Sequence, residues 1–297
     1  MTAKIIDGNA IAKLVRAEWR VRVDDLKSQG VVPGLAVILI GDNPASQVYV
    51  HHKTKACADM GMRSELHTFP SDVTEKKVLD CIARLNADPK VHGILVQLPL
   101  PAHIDVRRLL EAIDVHKDVD GFNLYNVGSL VAGETVFPPC TPYGVLCMLQ
   151  YSKIPIAGQN VVVVGASNIV GKPMAMMLMK RDATVSICHI KTRDLAQYTI
   201  LADILVVAAG KPGLITAPMV RTGAVVIDVG INRLPDGRLV GDVDYEPVKE
   251  KAAYITPVPG GVGPMTVTML LVNTIQAAER MTGSKSRQTS ELVPEFT

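Results

Sequence analysis

Aromatic side chains are scarce, at 4 % of the 297 residues, with one Trp and four Phe. Val, Ile, Leu, Ala and Met must therefore fill the core of a chain that is 48 % hydrophobic. An excess of either charge is also missing. The 31 basic and 29 acidic residues leave a net +2, and no basic run of the kind that grips nucleic acid occurs, which excludes a polyanion-binding role. The five cysteines (Cys57, Cys81, Cys140, Cys147 and Cys188) form no Cys-x-x-Cys, so zinc-ribbon and dithiol redox readings fall away. Reduced, mostly buried thiols fit a cytoplasmic protein. His51 and His52 face different ways on a helix and the other histidines form no zinc pattern, so no metal is expected. The opening Met-Thr-Ala-Lys-Ile-Ile-Asp-Gly has no signal-peptide layout. Gly, Asp or Pro interrupts each apolar run well short of the ~20 residues of a membrane helix. Internal repeats and low-complexity tracts are absent as well.

What is present is an alternation of strand and helix patterns. Strands are expected at Ala36–Ile40, Glu65–Phe69, Gly93–Gln97, Val161–Val164, Thr184–Cys188, Ile204–Ala208 and Val225–Val229. Most are unbroken Val/Ile/Leu runs, as for parallel strands buried on both faces. Ile11, Leu14, Val15, Trp19, Val23 and Leu26 form a helical stripe that stops at Gly30; Val78, Leu79, Ile82 and Leu85 form another, with Asp72 and Glu75 at capping-box spacing. The alternation argues for an α/β protein with parallel sheets, and the length for two domains. Phe137-Pro-Pro-Cys-Thr-Pro142 marks the weak point between them. The expected division is residues 1–138 plus 268–297 against 139–267. Tyr143–Tyr151 reads as helix, and Ile255–Pro264 reads as a non-helical connector before a helix from about Met265 to Met281 that returns to the first domain. The polar tail from Gly283 is expected to fray.

Candidate chemistry sits at the turns. Val161-Val-Val-Val-Gly-Ala-Ser-Asn-Ile-Val-Gly171 is a strand, a tight turn and a helix start. Gly165 lets the chain turn, small Ala166 and Ser167 admit close approach, and Gly171 lets the helix lie near the strand. Such a helix start suits a pyrophosphate, although Ser167 stands where the usual motif has its second Gly and the third Gly comes one place late. A turn that binds nothing is the competing reading. After the next strand, Ser186-Ile-Cys-His-Ile-Lys191 carries no acid for ribose hydroxyls; Lys191 could meet a 2′-phosphate, which favours NADP, or simply be a solvated loop residue. Val206–Pro212 and Ile227–Asn232 place small residues at or past strand ends, for a ligand or only for tight turns.

In the first half, Pro44 stands near a helix start, with Tyr49 and Lys53 at i, i+4 on one face. A hydroxyl and an amine so placed can act as a proton-transfer pair when partly desolvated, or be an ordinary surface Lys beside a half-buried Tyr. Gln97 ends an apolar strand just before Leu98-Pro-Leu-Pro101, positioned to enter a cleft or to satisfy the loop backbone. Lys117-Asp-Val-Asp-Gly121 packs two carboxylates together, as a turn or as part of a metal site, though the remaining calcium-loop ligands are lacking.

Taken in order, these segments resemble the bifunctional methylenetetrahydrofolate dehydrogenase/cyclohydrolase family. The landmarks are Pro44-Ala-Ser-Gln-Val-Tyr-Val-x-x-Lys53, Gly93–Pro101, Lys117–Gly121, Pro139-Cys-Thr-Pro142, Gly165–Gly171, Val226–Asn232 and Thr256-Pro-Val-Pro-Gly-Gly-Val-Gly-Pro-Met-Thr266. The resemblance implies a folate-binding catalytic domain followed by a Rossmann-type NADP domain, in a cytoplasmic homodimer. It implies oxidation of 5,10-methylene-tetrahydrofolate by NADP⁺ and hydrolysis of the methenyl cation to 10-formyl-tetrahydrofolate, a one-carbon supply for purine synthesis. It assigns Lys53 to proton handling as water adds, Gln97 to orienting Lys53, Tyr49 to lining the folate site and Asp120 to the pterin. Leu98, Pro99, Pro259, Gly260 and Gly261 would line the folate, with the Pro259–Thr266 loop at a domain cleft. Gly165, Ala166, Ser167, Ile190 and Ile231 would touch the cofactor, and Lys191, from its place after the strand, joins them as a candidate. A cationic intermediate disfavours a second positive charge beside it, which suits a neutral, proton-accepting amine at that place. Ile190 departs from relatives with Arg or Ser there, so the NADP preference rests on Lys191 and the missing acid.

Competing readings are a dehydrogenase without the hydrolytic step, a two-domain enzyme of the shikimate dehydrogenase type, and an NADP-binding regulatory protein without catalysis. The Tyr49/Lys53/Gln97 set speaks against the first and third, and the Pro-Gly-Gly-Val-Gly-Pro loop against the second. No fused formyl-tetrahydrofolate ligase is expected within these 297 residues.

Overall fold

A computed structural model describes residues Thr2–Gly283; the tail expected to fray beyond Gly283 lies outside the described residues. In chain order the elements begin with β1 (Lys4–Ile5), α1 (Gly8–Ser28), β2 (Gly34–Ile40), α2 (Pro44–Asp59), β3 (Arg63–Phe69) and α3 (Glu75–Ala87). Next come β4 (Gly93–Val96), α4 (Val106–Ala112), α5 (Leu124–Ala132), α6 (Cys140–Tyr151), β5 (Asn160–Val164), α7 (Gly171–Met179), β6 (Thr184–Cys188) and α8 (Ala196–Thr199). The chain continues through β7 (Ile204–Val207), β8 (Val225–Asp228), β9 (Asn232–Arg233), β10 (Leu239–Val240), α9 (Tyr245–Lys249), β11 (Tyr254–Ile255) and α10 (Val262–Thr282).

Two compact units result. Among the described residues, one holds Val15–Cys140 and Val267–Gly283; the other holds Thr2–Leu14 together with Thr141–Thr266. The N-terminal segment therefore groups with the second unit, contrary to the sequence expectation, because β1 pairs in parallel with β11. A two-residue strand carries no periodicity from which that pairing could be read. The expected connectors are also partly helical. Cys140-Thr-Pro142 opens α6, and Val262–Thr266 is already the first turn of α10. Prolines are tolerated in a first turn, where an N–H has no intrahelical partner.

In the first unit a three-stranded parallel sheet runs β3-β2-β4, with β2 in the middle. Every residue of β2 is buried, as its unbroken Gly-Leu-Ala-Val-Ile-Leu-Ile run requires. Val15, Trp19, Val23 and Leu26 of α1 are buried, whereas Leu14 falls off the stripe and is exposed. The expected capping box does not form. Thr74 precedes α3 without a side-chain cap, while Glu75 accepts the Asp105 N–H (2.9 Å) and pairs with Arg108 (2.6 Å). Helix α10 is apolar all round from Met269 to Val272, and these residues are buried, the pattern of a core helix. Arg22 holds its Glu279 with two hydrogen bonds (2.9 and 2.5 Å) while lying over the Trp19 ring. No helix among the described residues is long and apolar enough to cross a membrane.

In the second unit six parallel strands are ordered β1-β11-β8-β7-β5-β6. From β5 the chain goes outward to β6 and then returns past β5 to β7. The strand order thus reverses at β5/β7, and the crevice beyond the carboxyl ends of such strands is where open α/β sheets bind ligands.

Candidate active site

The first cluster lies in the β2–β4 unit. Asn43 caps α2 by accepting the N–H groups of Ala45 and Ser46 (3.0 and 3.2 Å), with Pro44 as the first helical residue. This start fixes the phase that puts Tyr49 and Lys53 one turn apart, both half-buried. Gln97 is the residue after β4, and its N–H still donates to the Ile38 carbonyl (2.9 Å), so the sheet anchors its backbone. Its side chain links α2 to the loop that follows β4. Oε1 accepts from Lys53 Nζ at 3.0 Å, and Nε2 donates to the Leu98 carbonyl at 2.7 Å. Leu98 is half-buried and Pro99, joined to it by a cis peptide, is exposed.

Lys117 and Asp118 belong to the scaffold rather than to a metal site. Lys117 Nζ donates to the carbonyls of Leu85, Asn86 and Asp88 at 3.0, 2.8 and 2.7 Å, closing the C-terminal end of α3. Asp118 accepts the Asn123 N–H and the Asn126 side-chain amide, both at 2.8 Å. Asp120 differs. Burial pushes its carboxyl up to about 6; the Lys53 charge draws it down, Asp118 raises it, and the Cys140 thiol donates to it and lowers it. Cys140 is itself buried, and its single S–H is shared between Asp120 and the Val119 carbonyl, 3.2 Å from the sulfur. Lys53 and Gln97 are thus in direct contact, and Lys53 acts electrostatically on Asp120. The thiol beside Asp120 escaped sequence reasoning, since Pro-Cys-Thr-Pro carries no chemical signature of its own. All five cysteines are buried.

The second cluster lies along the carboxyl edge of the six-stranded sheet. Gly165 leaves β5 with φ 128°, a conformation that L side chains rarely adopt, and a Cβ there would collide with the Ala208 carbonyl. A Cβ at Gly171 would strike the Gly165 carbonyl, so α7 can approach the strand only as Gly. The Ser167 hydroxyl accepts from the N–H groups of Val170 (3.1 Å) and Gly171 (3.4 Å), capping α7. Past β6, Ile190 is 96 % exposed and Lys191 is exposed beside it. Ile231 is exposed past β8. Pro259, Gly260 and Gly261 follow β11 on the same edge, where the Asn9 N–H donates to the Gly260 carbonyl (3.2 Å). A glycine turn too close-packed for any side chain, at the switch point of a parallel sheet, fits a dinucleotide. A cavity of about 240 Å³ lined by Lys153, Gln159, Arg221 and Tyr254 sits at the other, amino-terminal edge and contains none of these residues.

Such a sheet, with a glycine turn at its reversal and a second unit carrying a Lys–Gln–Asp cluster, defines a dinucleotide-binding α/β protein. The catalytic-domain profile of tetrahydrofolate dehydrogenase/cyclohydrolase matches residues 6–120, and its NAD(P)-binding-domain profile matches 139–282. The chain belongs to this family. It is 62 % identical over 280 residues to the Bifunctional protein FolD of Nitrosospira multiformis, covering 94 % of this chain and 97 % of that protein. The crystal structure of the bifunctional FolD enzyme of Campylobacter jejuni superposes with a TM-score of 0.92 at 52 % identity, over 94 % of this chain and 99 % of that one. The Trypanosoma brucei FolD structure, complexed with NADP cofactor and inhibitor, gives 0.91 at 41 % identity, over 95 % and 99 %. Tyr49, Lys53, Gln97 and Asp120 all fall within the catalytic-domain match.

Proposed function

We propose that this chain oxidises 5,10-methylene-tetrahydrofolate to the 5,10-methenyl cation with NADP⁺ and then adds water to give 10-formyl-tetrahydrofolate. The observation that carries this reading is the 3.0 Å hydrogen bond from Lys53 Nζ to Gln97 Oε1 in a half-buried site that also acts on Asp120. Bound NADP⁺ supplies the hydride acceptor. Gly165, Ala166, Ser167, Ile190, Lys191 and Ile231 would hold it along the sheet edge, and the Lys191 cation would favour a cofactor that carries a 2′-phosphate.

Asp120 accepts hydrogen bonds from the pterin and fixes its ring, so that much of the hydride step is positioning. Gln97, itself held by the Leu98 carbonyl, fixes the Lys53 amine. Lys53 moves the proton as water attacks the methenyl carbon and the ring opens, releasing one proton overall. Tyr49 lines the folate site, as do Leu98, Pro99, Pro259, Gly260 and Gly261. The protein works in the cytoplasm as a homodimer, and its 10-formyl product feeds purine synthesis. A spectrophotometric assay of the purified protein with 5,10-methylene-tetrahydrofolate and NADP⁺ tests the reading. Formation of NADPH followed by the 10-formyl product is expected; no reduced cofactor with either NADP⁺ or NAD⁺ would remove the dehydrogenase reading.

A further inference from the structure

Beyond the ends of β7 and β8, two carboxylates are buried side by side. Asp228, the last residue of β8, is 3 % exposed, and Asp242, just past β10, is 0 % exposed. Asp242 Oδ2 accepts the N–H groups of Ala209 (2.7 Å) and Gly210 (2.8 Å), and Oδ1 accepts from Asn232 Nδ2 (2.8 Å). Asp228 stands behind it. Its Oδ1 accepts the Gly230 and Asp242 N–H groups (2.9 and 3.0 Å), and its Oδ2 accepts that of Val243 (2.9 Å). Side chains are excluded around the pair: a Cβ on Gly230 would meet the Asp242 carboxylate and one on Gly241 the Asp228 carboxylate.

Burying two like charges together is unfavourable, and apolar packing could hold two loops at less cost. What apolar packing does not provide is an acceptor that fixes the aim of backbone amides. The segments aimed are residues 208–211 after β7 and 230–232 after β8. With a pyrophosphate at the β5–α7 turn and one nucleoside past β6, the remaining half of a dinucleotide extends over β7 and β8.

We propose that Asp242, backed by Asp228 and joined to Asn232, is a positioning residue that sets the 208–211 loop and Ile231 against the redox half of the cofactor. It serves the dehydrogenase step alone. This inference rests on the reading that NADP lies along this sheet edge.

The test is Asp242→Ala, with three readouts: the NADP⁺ dissociation constant from titration, the dehydrogenase KM and kcat, and hydrolysis of 5,10-methenyl-tetrahydrofolate with no cofactor present. Dissociation constant and KM for NADP⁺ are expected to rise by about tenfold or more, because three donors lose their acceptor. Hydrolysis should stay within about twofold, which a merely destabilised protein would not show. Asp242→Asn should recover most of the binding, since its carbonyl still faces the two amides and Asn232 can turn its own amide to accept. Should Asp242→Ala fail to fold, Asn232→Ala, on a half-buried hairpin, is expected to give the same split at about threefold. Parallel loss of both activities, an unchanged NADP⁺ dissociation constant, or an Asp242→Asn variant no better than Asp242→Ala would overturn the proposal. Wild-type protein that binds no NADP⁺ would overturn the reading beneath it as well.

Discussion

Asp120 and Asp228 make an instructive pair. Burial pushes each carboxyl up to about 6, and each has a second aspartate nearby that raises it further. Their uses differ. Asp228 is sealed, and its oxygens are taken by the backbone N–H groups of Gly230, Asp242 and Val243. Asp120 is half-buried, influenced by the Lys53 cation and touched by the Cys140 thiol. A displaced carboxyl therefore does not by itself mark a catalytic group. What separates the two is whether the backbone has already claimed the oxygens or whether charged and proton-bearing side chains stand beside them.

The largest expected break in that comparison is Asp120→Ala. It should lower kcat/KM for 5,10-methylene-tetrahydrofolate by about a hundredfold or more, with thermal stability close to wild type. Asp228→Ala should do the reverse. Leaving three buried N–H groups without an acceptor costs about 3 kcal/mol, read by urea unfolding, while cofactor-free hydrolysis by the folded protein persists. A pH series sharpens the contrast. Between the ordinary value of 3.8 and about 6 the folded protein holds the Asp228 proton and the unfolded chain does not, so unfolding free energy falls as pH rises through that window. Asp228→Asn should remove that share of the slope. The smallest effect concerns Asp120, whose carboxyl the Lys53 charge draws down. In Lys53→Met it should titrate higher, moving the acidic limb of the dehydrogenase pH profile upward.

The sheets were legible because β2 and β7, together with Val161–Val164 of β5 and Val225–Ile227 of β8, are apolar runs buried on both faces. β1 and β11 were not, since two residues show no period and their pairing joins the start of the chain to position 254. The Tyr49–Lys53 spacing follows from helical geometry alone, but the Lys53–Gln97 contact joins α2 to the end of β4 across 44 residues. Only the family resemblance suggested it. Asp242 was invisible for a different reason. Its partners include main-chain amides 32 and 33 residues away, and every non-proline residue carries an amide, so no side-chain pattern could announce the bracket. Glu75 shows the opposite error: its spacing suggests a cap, but Arg108 and the Asp105 amide offer it better partners.

The central claim is that Lys53, held by Gln97, moves the proton of the hydrolytic step and has no necessary part in hydride transfer. Lys53→Met, assayed side by side for NADPH formation from 5,10-methylene-tetrahydrofolate and for hydrolysis of 5,10-methenyl-tetrahydrofolate, tests it most directly. Loss of hydrolysis by about a hundredfold or more, beside a dehydrogenase rate within about tenfold of wild type, is the expected result. Hydrolysis that survives the substitution intact would contradict the account.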